Sequence, residues 1–136
     1  MSHRLLFGDQ LAIGLADTVT GVLLILAPGL TLRLMRLHLT VSANPLLALI
    51  GAFVFAVGLC CLYGALLAQR PASAAKLDVV WLLTAVVRGS VALLVLSSVL
   101  FGSLEAGWLP VSIFDGACAL VQAIGLLQDW SADAGA

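Results

Sequence analysis

Three ionisable residues interrupt otherwise apolar stretches of this sequence: Asp17, Arg88 and Asp115. A charge at the centre of a bilayer costs about 2.5–3.5 kcal/mol on insertion scales, so such residues normally face a bundle interior and pair. A guanidinium donates in two directions, so one arginine between two carboxylates can hold both. Two acids against one base leave a surplus negative charge. One of the acids is therefore expected to carry a proton or to accept hydrogen bonds from Thr84 or Gln122. A protonated carboxyl in such a site could shuttle protons or act as a general acid. Equally, a buried ion pair can do no more than fix which helices pair and in what register. Both readings stay open on the sequence.

Helical spacing turns these residues to common faces. Gly14, Asp17 and Gly21 follow i, i+3, i+7; Trp81, Thr84 and Arg88 share a second helix face, and Asp115, Ala119 and Gln122 a third. The remaining span carries Ala56, Cys60 and Gly64 at small-xxx-small spacing, which favours close helix approach. At 1.5 Å per residue, Asp17 is expected about 10–12 Å from the N-terminal face, Arg88 about 15–17 Å and Asp115 about 20 Å, with Gln122 near the depth of Asp17 and Thr84. Arg88 would then lie between the acids, in one polar seam formed by Asp17, Arg88, Asp115, Thr84 and Gln122.

The elements that must position the seam follow from composition. Of 136 residues, 62% are apolar and 10% charged, against about 45–50% and 25% in soluble domains. There is too little polar surface to cover a water-soluble globule. A helix needs about 20 residues to cross the hydrocarbon core. Four runs meet that length, at about 9–30, 45–68, 77–101 and 108–129. Pro28-Gly29, Asn44-Pro45, Arg70-Pro71-Ala72-Ser73, Gly102-Ser103, Gly107 and Pro110 mark the breaks. The expected fold is an all-α integral membrane protein, a single-domain four-transmembrane-helix antiparallel bundle spanning residues 1–136, because the connections are short. The segment from Leu30 to Leu39, with Arg33, Arg36 and His38 among leucines, reads either as a short amphipathic piece at the membrane surface or as the frayed end of the first helix.

The first run is long and carries Asp17 and no cleavage site, so it is not expected to be a signal peptide, and lipidation signals are lacking. Arg4, Arg70 and Lys76 on one side, against Arg33 and Arg36 on the other, favour both termini in the cytoplasm. Tyr63, Trp81 and Trp130 are expected near one membrane interface and Trp108 near the other. Net charge is −1, with no basic patch for nucleic acid. Cys60, Cys61 and Cys118 form no C-x-x-C pair and are expected to be reduced, small apolar residues. His3 and His38 lie at span edges, so neither a haem pair nor a metal cluster is expected, and no other cofactor. No Walker loop, dinucleotide fingerprint or nucleophile elbow occurs. The runs from Asp17 and from Asp115 share a faint pattern, open to reading as a relic of duplication or as chance similarity.

The run Gly21-Val-Leu-Leu-Ile-Leu-Ala-Pro28 followed by Arg33, then Gly51 and Gly58, an arginine in the third span and an aspartate in the fourth, resembles small bacterial four-helix membrane proteins of the DoxX-like kind. That resemblance covers most of the chain and implies the fold, a bacterial inner-membrane location and kinship with subunits associated with quinone-linked redox complexes. It carries no catalytic motif. Three function classes remain: an accessory or assembly subunit of a larger membrane complex; an oligomeric small transporter or channel using the seam; and a membrane enzyme acting on a lipophilic substrate, a quinone or isoprenoid, by acid catalysis. The expected partners are the lipid bilayer and other membrane subunits or further copies of the chain.

Overall fold

In the computed structural model, residues 3–37, 44–70 and 73–133 are described. His38 and the Pro71-Ala72 break lie outside them. Among the described residues all regular structure is helical. Helix α1 spans His3–Leu26, α2 Pro28–Leu34, α3 Asn44–Ala68 and α4 Ala74–Leu100. A 3-10 turn at Ala106–Trp108 leads into α5, Leu109–Leu127, and α6 is a short Trp130–Asp133 turn. Four of these segments are long and apolar enough to cross a membrane. The fold is thus an all-α four-helix bundle.

The first span differs from the expected 9–30 at both ends. Nothing between His3 and Gly8 breaks a helix, so α1 starts six residues earlier. It stops at Leu26 because Pro28 restricts the residue before it: Ala27 leaves helical geometry with φ −141° and ψ 57°. The chain restarts with proline at the first turn of α2, where no N–H is needed. Residues 28–34 are therefore a separate short helix. Its Thr31 and Leu32 are buried while Arg33 and Leu34 are exposed, which favours the amphipathic reading over a frayed end. Arg36, in the left-handed region at φ 56°, closes α2: the Leu37 N–H donates to the Leu32 carbonyl at 2.9 Å. Gly102, at φ 75°, ends α4 in the same way, with Ser103 N–H donating to Ser98 O at 2.8 Å.

The bundle is built from two tight antiparallel pairs, α1 with α3 and α4 with α5, and the pairs meet chiefly through α3 against α4. Glycines set the first pairing. A Cβ on Gly21 would lie 2.5 Å from the Phe55 amide nitrogen, and one on Gly58 would lie 2.6 Å from the Thr18 amide nitrogen. Backbones this close give dense van der Waals contact, the main attraction available between helices in lipid. The small-residue face expected on the second span is displaced. Ala56 and Cys60 are exposed, and only Gly64 of that set is buried. The buried face is Gly51, Gly58 and Ala65, seven residues apart; Gly51 and Gly58 abut the α1 backbone at Gly21 and Thr18, and Gly64 meets α1 only through the Gln10 side chain.

Burial is inverted relative to a soluble bundle. Large apolar side chains such as Leu66, Leu83, Leu94 and Ile113 face outward, while Gln10, Asp17, Thr84, Arg88, Ser112 and Gln122 are buried. Apolar layers close the interior at both ends. Leu6, Leu67, Ala68, Leu77 and Trp81 form one, with Trp130 against it. Leu24, Leu32, Leu37 and Leu47 form the other, with Trp108 against it. Trp108 and the Trp81–Trp130 pair thus occupy opposite ends. Trp81, however, is 1% exposed and part of the core; it does not lie on the outer surface where an interfacial ring would sit. Tyr63 is half-exposed.

Candidate polar site in the bundle core

Arg88 on α4 joins the two helix pairs. Its Nη2 donates to Asp17 Oδ2 on α1. Its Nη1 donates to Asp115 Oδ1 on α5 at 2.6 Å. Arg88 is 2% exposed, and its guanidinium carbon lies 5.6 Å from the centre of the Phe114 ring. The thiol of Cys61, on α3, lies 4.0 Å from Nη2, so all four long helices contribute to this tier. Cys60, Cys61 and Cys118 are free thiols.

The depth relations differ from those expected. Asp17 follows His3, the first residue of α1, by 14 positions, and Arg88 follows Ala74, the first of α4, by the same 14. Each is about 21 Å along its own helix, so Asp17 is level with Arg88 and not shallower. Early initiation of α1 is the reason. Antiparallel packing of α4 on α5 sets the third member. Ser112 Oγ donates to the Ala92 carbonyl at 2.8 Å, and that register brings Asp115, one turn on, opposite Arg88.

Thr84 and Gln122 are buried on the expected faces but do not join the ion cluster. The Thr84 hydroxyl donates to the carbonyl of Val80 at 2.8 Å, within its own turn, as hydroxyls in apolar helices commonly do. Gln122 lies seven residues beyond Asp115 along α5 and is not level with Asp17. Neither residue offsets the second carboxylate.

A second tier was not foreseen from the sequence. Gln10 is seven residues before Asp17, Trp81 seven before Arg88, and Gln122 seven after Asp115. Because α1 and α4 run one way and α5 the other, all three lie two turns, about 10 Å, from the ion cluster on the N-terminal side. Gln10 is 0% exposed and Gln122 1%. The heptad offset is visible in the sequence, but only once the directions of the three helices are known.

Among the described residues no group of His, Cys, Asp and Glu could hold a metal ion. A surface groove of about 490 Å³ runs between α4 and α5, lined by small residues including Ala85, Gly89, Ala92, Gly116, Ala119 and Ala123. No ionisable side chain lines it. Comparison with protein-family models, curated proteins and solved structures gives no match to this chain.

Proposed function

We propose that the chain is an integral membrane accessory or assembly subunit of a larger membrane complex, and that its Asp17–Arg88–Asp115 cluster is a structural clasp between two helix pairs. The observation that carries this reading is that one arginine engages both acids in a closed network, sealed from each end of the bundle by apolar layers. A pair of hairpins with thin mutual packing needs such a clasp, and a buried ionic contact fixes the pairing of helices that lipid would not otherwise distinguish. The groove of small residues between α4 and α5 has the shape that lets a partner helix approach closely. The DoxX-like resemblance, and with it a bacterial inner membrane, fits this proposal, as do the cytoplasmic termini that Arg4, Arg70 and Lys76 against Arg33 and Arg36 favour.

The other two classes have less support. The apolar end layers leave a single bundle without a polar path between faces, against a channel. The groove does not reach either acid, against acid catalysis on a lipophilic substrate, which wants an apolar pocket ending at the acid. The test is purification from native membranes in mild detergent. A stoichiometric membrane partner is expected to co-elute, and to remain bound to the triple variant Asp17→Asn, Arg88→Leu, Asp115→Asn. Elution of the parent chain free of any partner overturns the subunit reading. A triple variant that folds but loses the partner overturns the structural role of the clasp.

A further inference from the structure

The second tier presents a physical problem that the clasp does not solve. Both side-chain polar atoms of Gln10, both of Gln122, Trp81 Nε1 and Arg88 Nε are buried without a hydrogen-bond partner. A polar group left unpaired away from water costs several kcal/mol in the least favourable media, and buried polar groups in native proteins are almost always satisfied. All six atoms belong to one region of the fold. It lies between the Leu6–Leu67–Leu77 layer and the Arg88 guanidinium, and among the described residues no buried side-chain polar atom beyond the ion cluster lacks a partner. The side chains in the intervening turns are small: Thr84 on α4 and Cys118 on α5. On α3, Gly64 leaves room for the Gln10 carboxamide, since a Cβ there would lie 2.8 Å from Oε1.

We propose that the Gln10–Trp81–Gln122 tier is a binding site for internal water, forming a sealed hydrated chamber whose inner wall is the Arg88 guanidinium. The donor and acceptor inventory selects the ligand. Two carboxamides, one indole and Arg88 Nε present six N–H donors and two carbonyl oxygens. The surplus of donors requires a group that accepts, and the two oxygens require one that donates. The carboxyl beside the tier, Asp9, adjoins Gln10 and is only half-buried, and the Arg88 cation is already matched by two carboxylates, so a further ion has no fully buried counterpart there. Water meets both demands, and about two or three molecules would balance the six donors. Buried waters typically make about three hydrogen bonds to groups of this kind. Water at Arg88 Nε pairs the one guanidinium nitrogen that no protein group reaches, since Nη1 and Nη2 each already donate to one carboxylate. The polar core is therefore one-sided: hydrated between the ion cluster and the N-terminal end, and dry beyond it, where Leu24, Leu37 and Leu47 pack. This inference holds whether or not the clasp serves a complex, and its test uses the chain alone.

The test is magnetisation transfer from water to indole N–H groups, in the full chain labelled with ¹⁵N-tryptophan and reconstituted in lipid nanodiscs. The Trp81 resonance is assigned by its loss in Trp81→Phe. A cross-peak from long-lived water to Trp81 Nε1–H is expected, although the ring is buried. Its absence in the folded parent protein overturns the proposal. The double variant Gln10→Leu, Gln122→Leu supplies a second readout. If the tier is hydrated, the cross-peak disappears and the melting temperature falls or holds. If the tier is dry, removing four unpaired polar atoms raises the melting temperature, and that rise also overturns the proposal.

Discussion

Asp17 and Arg88 lie 71 positions apart in the chain and at the same depth of the bundle, joined by a hydrogen-bonded ion pair between α1 and α4. These helices are not a tightly packed pair; each is packed along its length on a different neighbour. The contact therefore ties one helix hairpin to the other, and Asp115 completes it from α5.

Removal of Arg88 alone should be the most damaging change in the core. Arg88→Leu leaves two buried acids without a counter-charge, and breaking a buried pair from one side costs roughly 3–5 kcal/mol in soluble proteins. The neutral triple variant should lose less than Arg88→Leu alone, the non-additivity that marks one coupled network. Unfolding of the parent, Arg88→Leu and the triple variant in mixed micelles measures it. Equal stability of Arg88→Leu and the parent would remove the clasp from the account.

Enlarging Gly58 should separate α1 from α3. A Cβ there meets the Thr18 backbone at 2.6 Å, which cannot rotate away as a side chain could. Gly58→Ala should cost about 1–3 kcal/mol, in the range of overpacked cores, while Ala56→Leu, on the exposed side of the same helix, should be near neutral. The comparison reads directly which face of α3 carries the packing.

Ser112→Ala tests the register of the second pair. The hydroxyl donates across the interface to the Ala92 carbonyl. Interhelical hydrogen bonds of this type average about 0.6 kcal/mol in membranes, so a small loss is expected. A loss of several kcal/mol would mean that the serine also holds something else.

Lipids brominated along their chains should quench Trp108 more than Trp81. Trp108 is partly exposed beside the Leu24–Leu47 layer, whereas Trp81 is 1% exposed among α1, α3 and α5. Single-tryptophan variants report each ring separately. Strong quenching of Trp81 would place it on the lipid surface and undo the packing of the N-terminal end.

The chain should remain with membranes through carbonate and high-salt washes, since four helices are long and apolar enough to span and leucines cover the outer surface. Release of most of the protein by either wash contradicts integral insertion.

The sequence by itself determined the number and kind of elements. Helix length, apolar runs and proline breaks are local properties, so four spanning helices, and the chemical oddity of Asp17, Arg88 and Asp115 within them, are legible without a structure. Two boundaries were less so: α1 has no N-terminal signal to read, and the Ala27 break is a proline effect whose outcome, a kink into a second helix, depends on what α2 can pack against. Only the tertiary structure decided which residues meet. In water, hydropathy marks the buried face of a helix. In a membrane both faces are apolar, so small and polar residues must mark it, and α3 offers two rival small-residue sets. The choice of Gly51, Gly58 and Ala65 over Ala56 and Cys60 belongs to the partner helix, because backbones approach closely only where a glycine on one helix meets the backbone of the other, as Gly58 meets Thr18 and Gly21 meets Phe55. The same holds for depth. A spacing of seven residues on α1, α4 and α5 is visible in the sequence, but it becomes two stacked polar tiers only when antiparallel packing brings Asp17, Arg88 and Asp115 level, and with them Gln10, Trp81 and Gln122.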